Sequence, residues 1–179
     1  MEADWEVEIG GSAPVIEADW PGFVDLHSHP ESIGEIAEAA MFPALARLLL
    51  ALNTSESPVW TAKCDLWEPE PAALAAYIDI LPREGIVFGD WQQAEAVCRE
   101  YVRRLEALAL PDCELDCRID LVIRQANASG AAGFGITAYL SAKGAAQGEA
   151  KTALAAVMAG FADALPRRKP PETTGSKLQ

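Results

Sequence analysis

Residues 115–140 read LDCRIDLVIRQANASGAAGFGITAYL, and their alternation sets the fold class. Leu115, Cys117, Ile119, Leu121 and Ile123 alternate with Asp116, Arg118, Asp120, Val122 and Arg124. A period of two gives a strand one apolar face and one polar face. Asn127 to Gly133 is rich in Gly, Ala and Ser and reads as a turn. Phe134, Ile136, Ala138 and Leu140 supply the apolar face of a return strand. Two such runs joined by a short turn pair antiparallel. Helical spacing from about Ala146 to Leu165 completes a strand–strand–helix unit.

The same order is expected twice upstream. Trp60, Ala62, Cys64 and Leu66 alternate with Thr61, Lys63, Asp65 and Trp67, and Ala76, Ile78 and Ile80 with Tyr77, Asp79 and Leu81. After the loop from Pro82, Asp90 is placed to cap a helix running to about Leu108, with Ala94, Val97, Cys98, Tyr101 and Leu105 as its apolar stripe. At the start of the chain, Trp5, Val7 and Ile9 alternate with Glu6 and Glu8. The Gly10-Gly11-Ser12 break allows a hairpin to a second run at Ile16, Ala18 and Trp20, with Phe23 to Leu26 as a short strand extension. A short helix from Ser32 to Ala40 follows, then a helix from Pro43, a good first-turn residue, to about Leu52. The units agree in the order of elements but not in residues.

These patterns predict an α+β two-layer sandwich: a mostly antiparallel sheet of about six strands, helices on one face, in the order ββα-ββα-ββα. Residues 1–165 form the single domain, and 166–179, with RRKPP and little apolar content, read as a disordered basic tail. The sheet face away from the helices would carry Glu6, Glu8, Glu17, Asp19, Lys63, Asp65, Asp79, Arg118, Asp120 and Arg124. Trp5, Trp20 and Trp60 are expected on the apolar side and Trp67 on the polar side.

Composition narrows the function. The net charge is −13, which disfavours nucleic acid and anionic membranes as partners. No run of about 18 uncharged apolar residues exists to span a bilayer. The first Lys or Arg is Arg47, so no secretory leader is read and a cytoplasmic location is expected. Cys64, Cys98, Cys113 and Cys117 contain no C-x-x-C pair, and reduced thiols are expected.

Pro21 to Pro30 read PGFVDLHSHP. The Asp-x-His-x-His run resembles the opening metal-binding strand of the amidohydrolase superfamily. The resemblance covers only this segment. It implies a divalent metal such as zinc on His27 and His29 and a metal-dependent hydrolase-like activity; Asp25, which shares their strand parity, and Glu31, as a nearby oxygen donor, complete the candidate ligands Asp25, His27, His29 and Glu31. His27 and His29 are the only histidines, so the family's later His ligands have no counterpart and a second subunit would have to complete the site. The family's (β/α)8 barrel also needs about 250 residues.

A second candidate is the polar sheet face, where Lys63, Arg118, Arg124 and Trp67 could hold a small anionic ligand. Cross-strand ion pairs on a wet face, or an interface between two copies, account for the same residues. No Gly-rich phosphate loop precedes a helix, and no Ser-His-Asp set is present. The leading expectation is therefore a small soluble binding or protein-interaction domain, self-associating or docking a partner protein, with no cofactor. The metal-dependent hydrolase is its alternative.

Overall fold

The computed structural model describes residues 1–108 and 116–166. The expected tail from residue 167, together with Cys113 and Leu115, lies outside the described residues. The chain is α+β, built on one six-stranded mixed sheet that is mostly antiparallel. The strands are β1 (Glu2–Val7), β2 (Ile16–Glu17), β3 (Val59–Trp67), β4 (Ala73–Pro82), β5 (Asp116–Ala128) and β6 (Ala131–Lys143). The helices are α1 (Ala37–Met41), α2 (Pro43–Asn53), α3 (Trp91–Ala107) and α4 (Gln147–Asp163), with a 3-10 turn at Pro30–Glu35. The sheet order is β1-β5-β6-β4-β3, and β2 also pairs with β5.

The stretch that opened the reading forms the centre of this sheet. The β5–β6 ladder runs from Asp116↔Lys143 to Ala128↔Ala131. Its turn is tighter than the expected Asn127–Gly133: only Ser129 (φ 49°) and Gly130 (φ 77°) lie between the strands. Positive φ at both central residues is the two-residue geometry whose twist matches the flanking strands. The Asp19 carboxylate accepts from the Ser129 amide and holds the turn from outside.

One prediction fails at the N-terminus. β1 and β2 do not form a hairpin. Both lie parallel to β5, Trp5 opposite Leu121 and Ile16 opposite Ala126. The Gly10–Pro14 loop carries the chain along one lane beside β5 instead of turning it back. The longest available partner strand takes both segments, which makes the sheet mixed. The expected strand extension at Phe23–Leu26 is not a strand: residues 23–25 are irregular, between turns at 21–22 and 26–28.

The main core lies between one sheet face and the helices. Ile119, Leu121 and Ile123 of β5, Ile136, Ala138 and Leu140 of β6, and Ala76, Ile78 and Ile80 of β4 meet Leu45, Leu48 and Leu52 of α2, Tyr101 and Leu105 of α3, and Leu154, Val157 and Phe161 of α4. Tyr101 stacks on Phe161 at 5.1 Å. Asp90 caps α3 as expected, accepting from the Gln93 amide at 2.9 Å.

A bulge in β3 moves side chains between faces. The register steps from Thr61↔Ile80 to Lys63↔Asp79. An extra residue shifts the alternation by one, so Val59 and Thr61 share the helix side while Trp60 and Ala62 lie opposite. Trp60 therefore packs in a second, smaller cluster with Ile16, Ala18, Leu81, Val87 and Ala126, not with Cys64 and Leu66. Asn53 holds the bulge. Its Oδ1 accepts from the Thr61 amide at 3.1 Å, and its Nδ2 donates to Thr61 Oγ1 at 2.7 Å and to the Leu49 carbonyl at 2.8 Å.

The second cluster covers one end of the other sheet face. Gly133 and Gly135 make that possible. A Cβ at Gly133 would run into the Phe88 carbonyl and Val87, and one at Gly135 into Ile16 and Leu81. The remainder of that face is open.

Candidate functional site

Strands β3, β4, β5 and β6 present a polar and aromatic strip on the open face. Lys63, Tyr77, Asp79, Arg124, Thr137 and Tyr139 meet there, brought together by the registers Lys63↔Asp79, Tyr77↔Tyr139 and Asp79↔Thr137. Asp79 is only 7% exposed. Thr137 Oγ1 donates to its Oδ1 at 2.6 Å. Burial raises the Asp79 pKa, and the Thr137 hydroxyl, Arg124 and Lys63 pull against that rise. Burial likewise raises the Tyr77 phenol against the pull of Lys63. Aromatic rings run across the strip, Trp67 to Tyr77 at 6.2 Å and Tyr77 to Tyr139 at 6.1 Å.

The three expected cations separate here. Arg124 is committed: Nε and Nη2 donate to Glu8 Oε2 at 3.0 and 2.6 Å, Nη1 donates to Tyr139 Oη at 2.9 Å, and the guanidinium lies 5.4 Å from the Tyr139 ring centre. Arg118 is committed as well, bound through Nε to Asp120 at 2.6 and 2.8 Å with Glu2 at 3.8 Å. It stands nearer β1, away from the strip. Lys63 has no ion-pair partner among the described residues. The expected ligand set of Lys63, Arg118, Arg124 and Trp67 is thus divided: of its three cations only Lys63 is without an ion pair among the described residues, and it acts on the Tyr77 phenol and the Asp79 carboxyl.

Lys63 borders a cleft with two cavities. One, of about 390 Å³, lies between β3 and the segment 20–38, floored by Val24, Leu26, Ile36 and Leu49. The other, of about 320 Å³, lies over Asp79, Thr137 and Tyr139. Trp20, Lys63 and Tyr77 belong to both. Trp20 was expected to face the helices. It stands instead on the open side, exposed, with its Nε1 donating to the Ala62 carbonyl at 3.4 Å. The short β2 ends at Glu17, so strand parity no longer governs residue 20. Cys64 borders the first cavity. Its thiol is pushed up to about 12 by burial and by Glu38, Asp65 and Asp79, which favours the protonated form at neutral pH.

The Asp25-His27-His29-Glu31 segment folds differently from a metal strand. Asp25 Oδ1 accepts from the His27 and Ser28 amides at 3.0 and 3.1 Å. Burial pushes the carboxyl up, but the Ser28 side chain and those two amides together hold it below its usual range. His29 Nδ1 lies 3.2 Å from Glu31 Oε1, and both side chains are exposed. Among the described residues no group of three or more His, Cys, Asp or Glu side chains is arranged to hold a metal ion.

Tyr77, Thr137 and Tyr139 escaped the sequence reading as site residues. Their parity was visible, but their convergence depends on which strands neighbour each other and in what register. No helix among the described residues is long and apolar enough to cross a membrane. No family model, no curated protein and no solved structure matches the chain.

Proposed function

We propose that this chain is a small-ligand-binding domain, a two-layer arrangement of sheet and helices whose ligand lies in the open-face cleft. One observation carries the reading: two cavities of about 390 and 320 Å³ lie side by side, with Trp20, Lys63 and Tyr77 lining both. Volumes of roughly 300–1,000 Å³ are those of small-molecule sites, lined by apolar and aromatic groups with a few placed polar ones. The cleft has that composition. The reading is one of binding rather than turnover. Cys64 and Cys98 are free thiols, which suits a reducing, cytoplasmic compartment.

The Trp20 indole reports on the site directly. A fragment library screened by protein-observed NMR should yield compounds that shift the Trp20 indole N–H and the Tyr77 and Lys63 signals together. Those shifts should vanish in Trp20→Ala while its circular dichroism stays that of the parent. A library that moves none of the three at millimolar concentration sinks the reading. Self-association and a docked partner protein, the other occupants suggested by the sequence, would cover the same face. Light scattering separates the first of these: a strict monomer leaves the cleft free for a small molecule.

A further inference from the structure

Resting on that cleft as a ligand site, we infer that its occupant is an amphipathic organic cation: an apolar body carrying a protonated or quaternary amine. The basic side chains of the open face first suggested an anion. The structure withdraws two of them, because Arg124 is neutralised by Glu8 and Arg118 by Asp120. What remains around the larger cavity is one ammonium, Lys63, against three carboxylates, Glu35, Glu38 and Asp65. None of these three carboxylates forms an ion pair with a described residue. Asp65 Oδ1 only accepts from the neighbouring Leu66 amide at 2.7 Å. The smaller cavity adds Asp79, whose Oδ1 is held by Thr137.

The neutral part of the lining agrees with this charge. Trp20 and Tyr77 line both cavities, and a cation over an aromatic face within about 6 Å is attracted by the ring's quadrupole. Val24, Leu26, Ile36 and Leu49 form an apolar floor with room for a hydrocarbon body. The chain's net charge of −13 raises the local concentration of cations and repels anions before contact. An anion would have to enter past unpaired carboxylates to reach a single lysine.

Three probes with one shared body test the charge: benzyltrimethylammonium, phenylacetate and benzyl alcohol, titrated by isothermal calorimetry and NMR. The expected result is that the ammonium binds about tenfold more tightly than either analogue, with shifts at Trp20 and Tyr77. Glu38→Gln and Asp65→Asn should weaken it, and Lys63→Met should strengthen it. Added salt should weaken it too. Tighter binding of phenylacetate, lost in Lys63→Met, overturns the cation while leaving the cleft a ligand site. Equal binding of all three also overturns it. Binding of none removes both the cation and the ligand site.

Discussion

The two faces of the sheet are made by the same four long strands, yet they follow different rules. On the helix side, Ile119, Leu121, Ile136, Leu140, Ile78 and Ile80 are all apolar and buried. Dispersion and burial are non-directional, so each is satisfied by whichever apolar group lies opposite. On the open side, Asp79 depends on Thr137, and Arg124 on Glu8 and Tyr139. A polar group is satisfied only by a partner at the right place. The helix side therefore holds the fold, and the open side holds whatever is specific to this chain.

The comparison breaks first if the helix side proves tolerant. Leu140 is fully buried at the centre of β6, against the helices. Leu140→Ala should cost about 3 kcal/mol, lost transfer energy plus a cavity, read from urea unfolding with an unchanged m-value. A loss under about 1 kcal/mol would show that the helices do not pack closely there.

A smaller effect is expected where the faces exchange, at the β3 bulge. Asn53→Ala leaves the Thr61 amide and hydroxyl without their partner in a buried setting. About 2 kcal/mol should be lost, with faster hydrogen exchange at Thr61 than at Ile78. If stability is unchanged, the bulge is held by the strand pairing alone. Trp60 would then owe its place on the open side to sequence register and not to Asn53.

The helix side was legible in the sequence because periodicity alone specifies it. The alternation through Ile119, Leu121 and Ile123, and the stripe through Ala94, Cys98, Tyr101 and Leu105, needed no knowledge of neighbours. The open side was legible only as a list of polar residues. Lys63, Arg118 and Arg124 appeared equivalent because each alternates out of an apolar face. The parallel docking of β1 on β5 is what gives Arg124 its Glu8 and Arg118 its Glu2. A hairpin at Gly10–Gly11, which local turn chemistry allows, would have put those carboxylates elsewhere. Trp20 and Trp60 were assigned to the wrong side for a related reason. Strand parity holds only while the strand lasts, and it resets at a bulge.

The smallest effect sharpens the comparison most, because it asks whether the open face is a structural network or a prepared site. Burial raises the Asp79 pKa above its value in the unfolded chain, despite Thr137, Arg124 and Lys63. The folded protein therefore holds that proton more tightly than the unfolded one. The resulting stability is fully present below the unfolded pKa and is lost as pH rises through the raised folded value. Asp79→Asn keeps an oxygen for the Thr137 hydroxyl and removes the charge. At pH 7 the variant should be as stable as the parent or slightly more so, within about 1 kcal/mol, and the difference should close as pH falls through the raised value toward the ordinary aspartate range. A variant clearly less stable at pH 7, with parity restored in acid, would mean that Lys63 and Arg124 outweigh burial and that Asp79 is a structural ion-pair member. A carboxylate kept at a net cost to the fold instead marks the open face as adapted to something that binds it, since a structural network would have no reason to retain the charge.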